Sequence, residues 1–119
     1  MKVHVLGSGS GGNAVVLDSG RERVLVDAGF SPRRLKERLE RVGLAPESVS
    51  ALIVTHEHGD HISGARFAAA RWNWPVYATA GTLLGGRWRR ATVHAVEPRR
   101  ELALEDLSFR FVRTPHDAR

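Results

Sequence analysis

The 119-residue sequence contains no cysteine. This excludes a disulfide framework, a thiolate metal site and a cysteine nucleophile. Long hydrophobic runs are also missing: no stretch approaches the length needed to cross a bilayer. The opening MKVHVLGSGS lacks the extended apolar core of a signal peptide. A cytoplasmic protein with no membrane partner is therefore the expectation. Lysine is scarce, with only Lys2 and Lys36, so the formal charge of +5 is carried almost wholly by arginine. Arginine suits bidentate contacts to phosphate, although an arginine-rich soluble surface accounts for the same count. What is present is ordinary for a globular chain. Hydrophobic residues make up 42%, and the length is that of one domain able to bury a core.

The order of elements points to an α/β fold. KVHVL (2–6) alternates like a strand, and NAVVLDS (13–19) and RVLVD (23–27) repeat that pattern around a short hairpin loop, 20–22. Ser31-Pro32 reads as an N-cap followed by proline at the first helical position. LKERLERVG then spaces Leu35, Leu39 and Val42 as a helix does, with Gly43 ending it. APESVS fits one helical turn or a loop. ALIVT (51–55) is almost wholly apolar, as a strand buried on both faces would be. SGARFAAARWN reads as a helix, PVYAT (75–79) as a strand, TAGTLLGG as a short helix, and ATVHAV (91–96) and LSFRFVR (107–113) as strands. The sum is a sheet covered by helices.

Gly7, Gly9 and Gly12 spell G-x-G-x-x-G after a strand, and Asp27 follows twenty residues after Gly7. A dinucleotide site of this type needs a helix next, because the pyrophosphate rests on its N-terminus. The β-branched segment 13–20 argues for a strand instead. The glycines then make a tight turn, or a loop whose N–H groups approach an oxyanion.

The densest chemistry lies in THEHGDHISG, residues 55–64. His56, His58, Asp60 and His61 fall directly after the apolar strand. His56 and His58 can project to one side of an extended backbone. Two imidazoles with a third from elsewhere leave an open fourth position for water, the pattern of a catalytic zinc site. Asp60 and His61 can serve a second metal, and two metals can activate one water. Gly59 is expected to let a loop bend through the cluster. Glu57 reads as an exposed loop carboxylate, and His4 and His94 as ordinary strand histidines.

HEHGDH at 56–61 resembles the signature of the metallo-β-lactamase-fold hydrolases. Asp27 in LVDAG resembles that superfamily's earlier aspartate. LGSGSGGNA (6–14) and TPHDA (114–118) are similar to the YycJ/WalJ-like subfamily. The resemblance implies the N-terminal half of an αββα sandwich, a mixed sheet with helices on one face. It implies that His56, His58 and His116 bind a first metal, and Asp60 and His61 a second. Asp60 carries the catalytic role of holding metal and water, and Asp27 orients ligands through hydrogen bonds from just outside. Zn2+, one or two ions, is the implied cofactor, with manganese and iron accepted by the same donors. Members of the family run well past this point, and their later half supplies a bridging aspartate, a final histidine and the second sheet. Residues 1–119 therefore read as a truncated metallo-β-lactamase-like domain. Such a chain is expected either to self-associate through an uncovered sheet or to be only marginally stable.

Three functions remain open at this stage. One is a metal-dependent phosphodiesterase or nuclease with DNA or RNA as substrate. Arg71, Arg87, Arg89, Arg90, Arg99 and Arg100 suit a phosphate backbone, and Trp72, Trp74 and Trp88 suit either base stacking or the core. The second is a thioester or lactone hydrolase of the glyoxalase II kind. The third is a truncated metal-binding fragment without turnover.

Overall fold

The computed structural model describes residues 1–8, 12–55, 59–85, 88 and 91–112, with the backbone alone at 59–63, 84 and 85. Among the described residues, six strands form one mixed sheet in chain order: β1 (Lys2–Gly7), β2 (Ala14–Asp18), β3 (Arg23–Val26), β4 (Ala51–Ile53), β5 (Val76–Thr79) and β6 (Val93–Val96). β1, β2 and β3 pair antiparallel, whereas β3 through β6 are parallel. The parallel steps need crossovers, and three helices occupy them: α1 (Pro32–Arg41), α2 (Gly59–Trp72) and α3 (Ala80–Gly85). β7 (Glu101–Ala103) and β8 (Ser108–Arg110) make a separate antiparallel hairpin.

The register separates the two faces of the sheet. Val16, Leu25, Leu52 and Val76 stand opposite one another across four strands, and all are fully buried. They join Leu35 and Leu39 of α1 and Ala65, Ala68 and Ala69 of α2 in one hydrophobic cluster. This is the helix-covered face. Fully burying a leucine or valine side chain stabilises by roughly 1.5–3 kcal/mol, so this cluster is where the fold is held. The other face carries Val3, Val5, Val15, Leu17 and Val26 along β1 to β3. Val3 and Val5 are 58% and 61% exposed. Farther along the same face, the β7–β8 hairpin borders a cleft of about 420 Å³ with Ala51 and Tyr77. It is tied down by Asp106, whose backbone N–H donates to Glu22 at 3.0 Å and whose carboxylate accepts from the Ser19 hydroxyl at 3.0 Å.

The helix ends follow their sequence signals. The Ser31 hydroxyl accepts from the Arg34 backbone N–H, Pro32 opens α1, and Gly43 takes a φ of +79° just past its end. The left-handed backbone there suits glycine, which has no Cβ to clash. APESVS holds a single 3-10 turn, Pro46–Ser48. β2 continues directly from the glycine-rich turn, so the helix that a dinucleotide site needs is not there.

One strand is added to those read from the sequence, and one expectation is revised. The short strand Glu101–Ala103 lacks a strong apolar alternation and is found only through its pairing with β8. More consequential, α2 begins at Gly59 and not after the histidine cluster. Asp60 and His61 therefore lie in a first helical turn, and Gly59 opens the helix and does not bend a loop. The polar composition of the cluster hid this, because a first turn leaves its N–H groups free and takes polar residues readily.

Candidate metal centre

β1, β3, β4 and β5 point the same way, so the segments leaving their C-terminal ends gather along one edge of the sheet. Asp27 leaves β3 with a left-handed φ of +62°, a conformation that aspartate tolerates better than most residues. Its backbone N–H donates to the Ile53 carbonyl at 2.8 Å. Its carboxylate is gripped from β4: the Thr55 N–H donates to Oδ1 at 2.8 Å and the Thr55 hydroxyl to Oδ2 at 2.5 Å. A short, doubly donated carboxylate is a fixed acceptor. Thr55 thus joins the ends of β3 and β4 immediately before His56. Sequence reasoning passed over Thr55, whose only signal was its place between an apolar strand and the first histidine.

The surrounding backbone is equally constrained. Gly29 N–H donates to the Asn13 carbonyl at 2.9 Å, linking the exit of the glycine-rich turn to the Asp27 segment. Phe30 lies against Gly7, Gly12 and Gly64. A Cβ on Gly7 or Gly12 would collide with its ring, and one on Gly64 with its backbone carbonyl. Gly64, in the second turn of α2, therefore brings the helix flush against the 27–31 segment.

The Asp60 and His61 backbone lies in the first turn of α2, at the end of the helix where the macrodipole is positive. His56, Glu57, His58 and His116 lie outside the described residues, as do the side chains of Asp60 and His61. Among the described residues no three histidine or acidic side chains converge as a metal site. Away from this edge, His4 pairs with Asp18 at 3.9 Å and His94 stacks on Tyr77 at 4.8 Å, both as strand residues.

The structure gives partners to several of the arginines and tryptophans weighed for a nucleic-acid role. Trp74 is buried, donates from Nε1 to the Pro46 carbonyl at 2.9 Å and stacks on Trp72. Trp72 and Trp88 pack on the core. The tryptophans are packing residues. Arg71 lies over Trp72, and Arg100 pairs with Glu97 at 3.3 Å. Arg99 takes a φ of +70° before β7, whereas Arg87, Arg89 and Arg90 lie outside the described residues.

The family profile described as the metallo-beta-lactamase superfamily matches residues 7–116, nearly the whole chain. The chain belongs to the metallo-β-lactamase superfamily. Its similarity extends to nuclease-named members. It is 37% identical over 81 residues to exodeoxyribonuclease WalJ of Streptococcus pneumoniae, covering 68% of this chain and 30% of that protein. It is 40% identical over 78 residues to exodeoxyribonuclease YycJ of Bacillus anthracis, covering 66% of this chain and 30% of that protein. A solved subclass B3 metallo-β-lactamase, MEM-A1 from a soil metagenome library, superposes with a TM-score of 0.74 at 21% identity over 89% of this chain and 47% of that one. The chain therefore spans under a third of the curated relatives and about half of the solved metallo-β-lactamase. Membership of this superfamily implies a divalent metal. Among the described residues no helix is long and apolar enough to cross a membrane.

Proposed function

We propose that this protein is a metal-dependent phosphodiesterase that hydrolyses nucleic acid. The observation that carries the reading is the run HEHGDH, which begins one residue after Thr55, whose N–H and hydroxyl hold Asp27. The exodeoxyribonuclease names of the relatives favour a nucleic-acid substrate over a thioester or lactone.

The donor set suits a hard or borderline divalent cation: neutral imidazoles and carboxylates with no thiolate. In this reading His56, His58 and His116 hold one ion, and Asp60 and His61 a second. Zinc is the first choice, with manganese and iron alternatives. When bound, such an ion supplies the Lewis acidity that makes water nucleophilic near neutral pH. Asp27 fixes the orientation of its neighbours, and Thr55 fixes Asp27. The first turn of α2 presents the positive end of its helix dipole, which favours an anionic substrate.

The test uses three substrates: a DNA oligonucleotide, an RNA oligonucleotide and a thioester. Metal-dependent cleavage of either nucleic acid, lost in His56→Ala/His58→Ala together with bound metal, is the expected result. Thioester turnover with inert nucleic acids, or unchanged metal stoichiometry in the double variant, would overturn the reading. Thr55→Val keeps the backbone donor to Oδ1 and removes the hydroxyl donor to Oδ2. It should weaken metal binding by about 10–100-fold, as loss of an orienting partner does.

A further inference from the structure

Helix α1 places its cations where a helix alone disfavours them. Its first turn has no acidic residue. Arg33 and Arg34 stand there, against the positive end of the macrodipole. Arg38 follows one turn later. Arg34 and Arg38, four residues apart, lay their guanidinium groups over the same Phe30 ring, at 5.4 and 4.3 Å from its centroid. Like charges at that spacing repel. Glu37 and Glu40 share the helix, yet neither forms an ion pair with these arginines among the described residues. Arginines elsewhere do find acids: Arg21 with Asp106, Arg23 with Asp18 and Arg100 with Glu97.

The two arginines over Phe30 differ in what they have left to give. Arg38 is half-buried and donates to the Leu6 carbonyl at 2.6 Å, at the end of β1 before the glycine-rich turn. Arg34 is exposed, with its ring contact as its only described side-chain partner. A planar guanidinium stacked on an aromatic ring keeps its N–H edge free for a bidentate anion. Phe30 is in turn locked by the close approach of Gly7, Gly12 and Gly64, so Arg34 is set on a rigid base. α1 starts five residues after Asp27, and its N-terminus therefore faces the same edge of the sheet as Asp27 and Thr55. The two cations, the opposed dipole and the missing acid share one remedy, an anion bound at the start of α1.

We propose that Arg34, flanked by Arg33 and backed by Arg38, binds a backbone phosphate of the substrate strand at a distance from the bond that is cut. This inference rests on the nucleic-acid reading above. It places part of the substrate track on the outer surface of α1. The contact is to phosphate and carries no base preference.

The experiment compares the wild type with Arg34→Gln, Arg33→Gln/Arg34→Gln and Arg34→Lys, with exposed Arg110→Gln on β8 as an equal change of charge elsewhere. Cleavage of a single-stranded oligonucleotide and of bis(4-nitrophenyl) phosphate is followed across salt concentrations. The double variant should raise KM for the oligonucleotide with kcat unchanged. It should lower the slope of log KM against log salt by about 0.7 for each lost phosphate contact, and leave the small diester unaffected. Arg34→Lys should keep the slope, and Arg110→Gln should behave as wild type. Oligonucleotide cleavage with the wild-type KM and slope in the double variant overturns the proposal. If the wild type leaves the oligonucleotide intact, the nuclease reading fails by itself. Fluorescence anisotropy with the same uncleaved strand then decides the arginines: weaker, less salt-dependent binding in the double variant supports them, and equal binding overturns them.

Discussion

At the scale of single residues, the candidate site is governed by close approach. Gly64 is a helical glycine whose absent Cβ makes room for the Phe30 carbonyl. An alanine in an open helix would stabilise by up to about 1 kcal/mol. Here the added methyl meets backbone, which cannot rotate away. We expect Gly64→Ala to destabilise the protein by about 1–3 kcal/mol, the usual scale of an overpacked contact. Thermal melts check this; an unchanged or raised melting temperature would mean that α2 can shift without cost. Asp27 belongs to the same scale. Its left-handed backbone persists because Thr55 and Ile53 hold it from three directions, as strained residues at functional sites require.

At the scale of elements, the β2–β3 hairpin shows how a turn is fixed by charge. The Asp18 carboxylate accepts from the Gly20 N–H at 2.8 Å and lies 3.4 Å from the Arg23 guanidinium. The Gly20 hydrogen bond, with help from Arg23 and His4, outweighs burial and holds the Asp18 carboxyl below its ordinary value. A group depressed on folding adds stability above its unfolded pKa, and that stability fades as pH falls through the folded pKa. Acid unfolding of the wild type should therefore steepen below about pH 4. Asp18→Asn should be less stable at neutral pH and lose less between pH 5 and 3, which urea titrations at each pH would reveal. Parallel losses in the two proteins would refute the linkage.

Elements were also where the sequence was most and least legible. The first four strands, α1 with its Ser31 cap and the Gly43 stop could all be read, because period, cap and breaker agree there. The start of α2 could not, since its first turn spells metal ligands in residues that resemble a loop. β7 could not either, because a three-residue strand is defined by its partner. In the candidate site, the spacing of His56, His58, Asp60 and His61 suggested a ligand set, and the family resemblance added Asp27 and His116. Thr55, the Phe30 wedge and the arginines of α1 were not legible, because their meaning depends on contacts between segments far apart in the chain.

At the scale of the whole molecule, the sheet is covered unevenly. One face is sealed by α1 and α2. The other is bordered by the β7–β8 hairpin at one end and leaves Val3 and Val5 open on the outermost strand. An edge strand with an apolar face and unpaired backbone groups is a template for a second copy. We expect this chain to sediment with concentration-dependent self-association, and Val3→Lys/Val5→Lys to abolish it while keeping the fold. A chain that sediments as a monomer at every concentration would count against that expectation.

The wedge of Phe30 among glycines has a consequence for how sequences of this kind can diverge. At position 7 the obstacle to a larger residue is mainly the far end of the Phe30 side chain; at 12 it includes the Gly29 carbonyl and a φ of +138°, and at 64 it is the Phe30 carbonyl. Trimming Phe30 to a smaller side chain could admit a methyl group at 7, but would give no relief at 64 and little at 12. Positions 7 and 30 are thus free to drift as a compensating pair across homologous chains, whereas 12 and 64 must remain glycine whatever residue stands at 30.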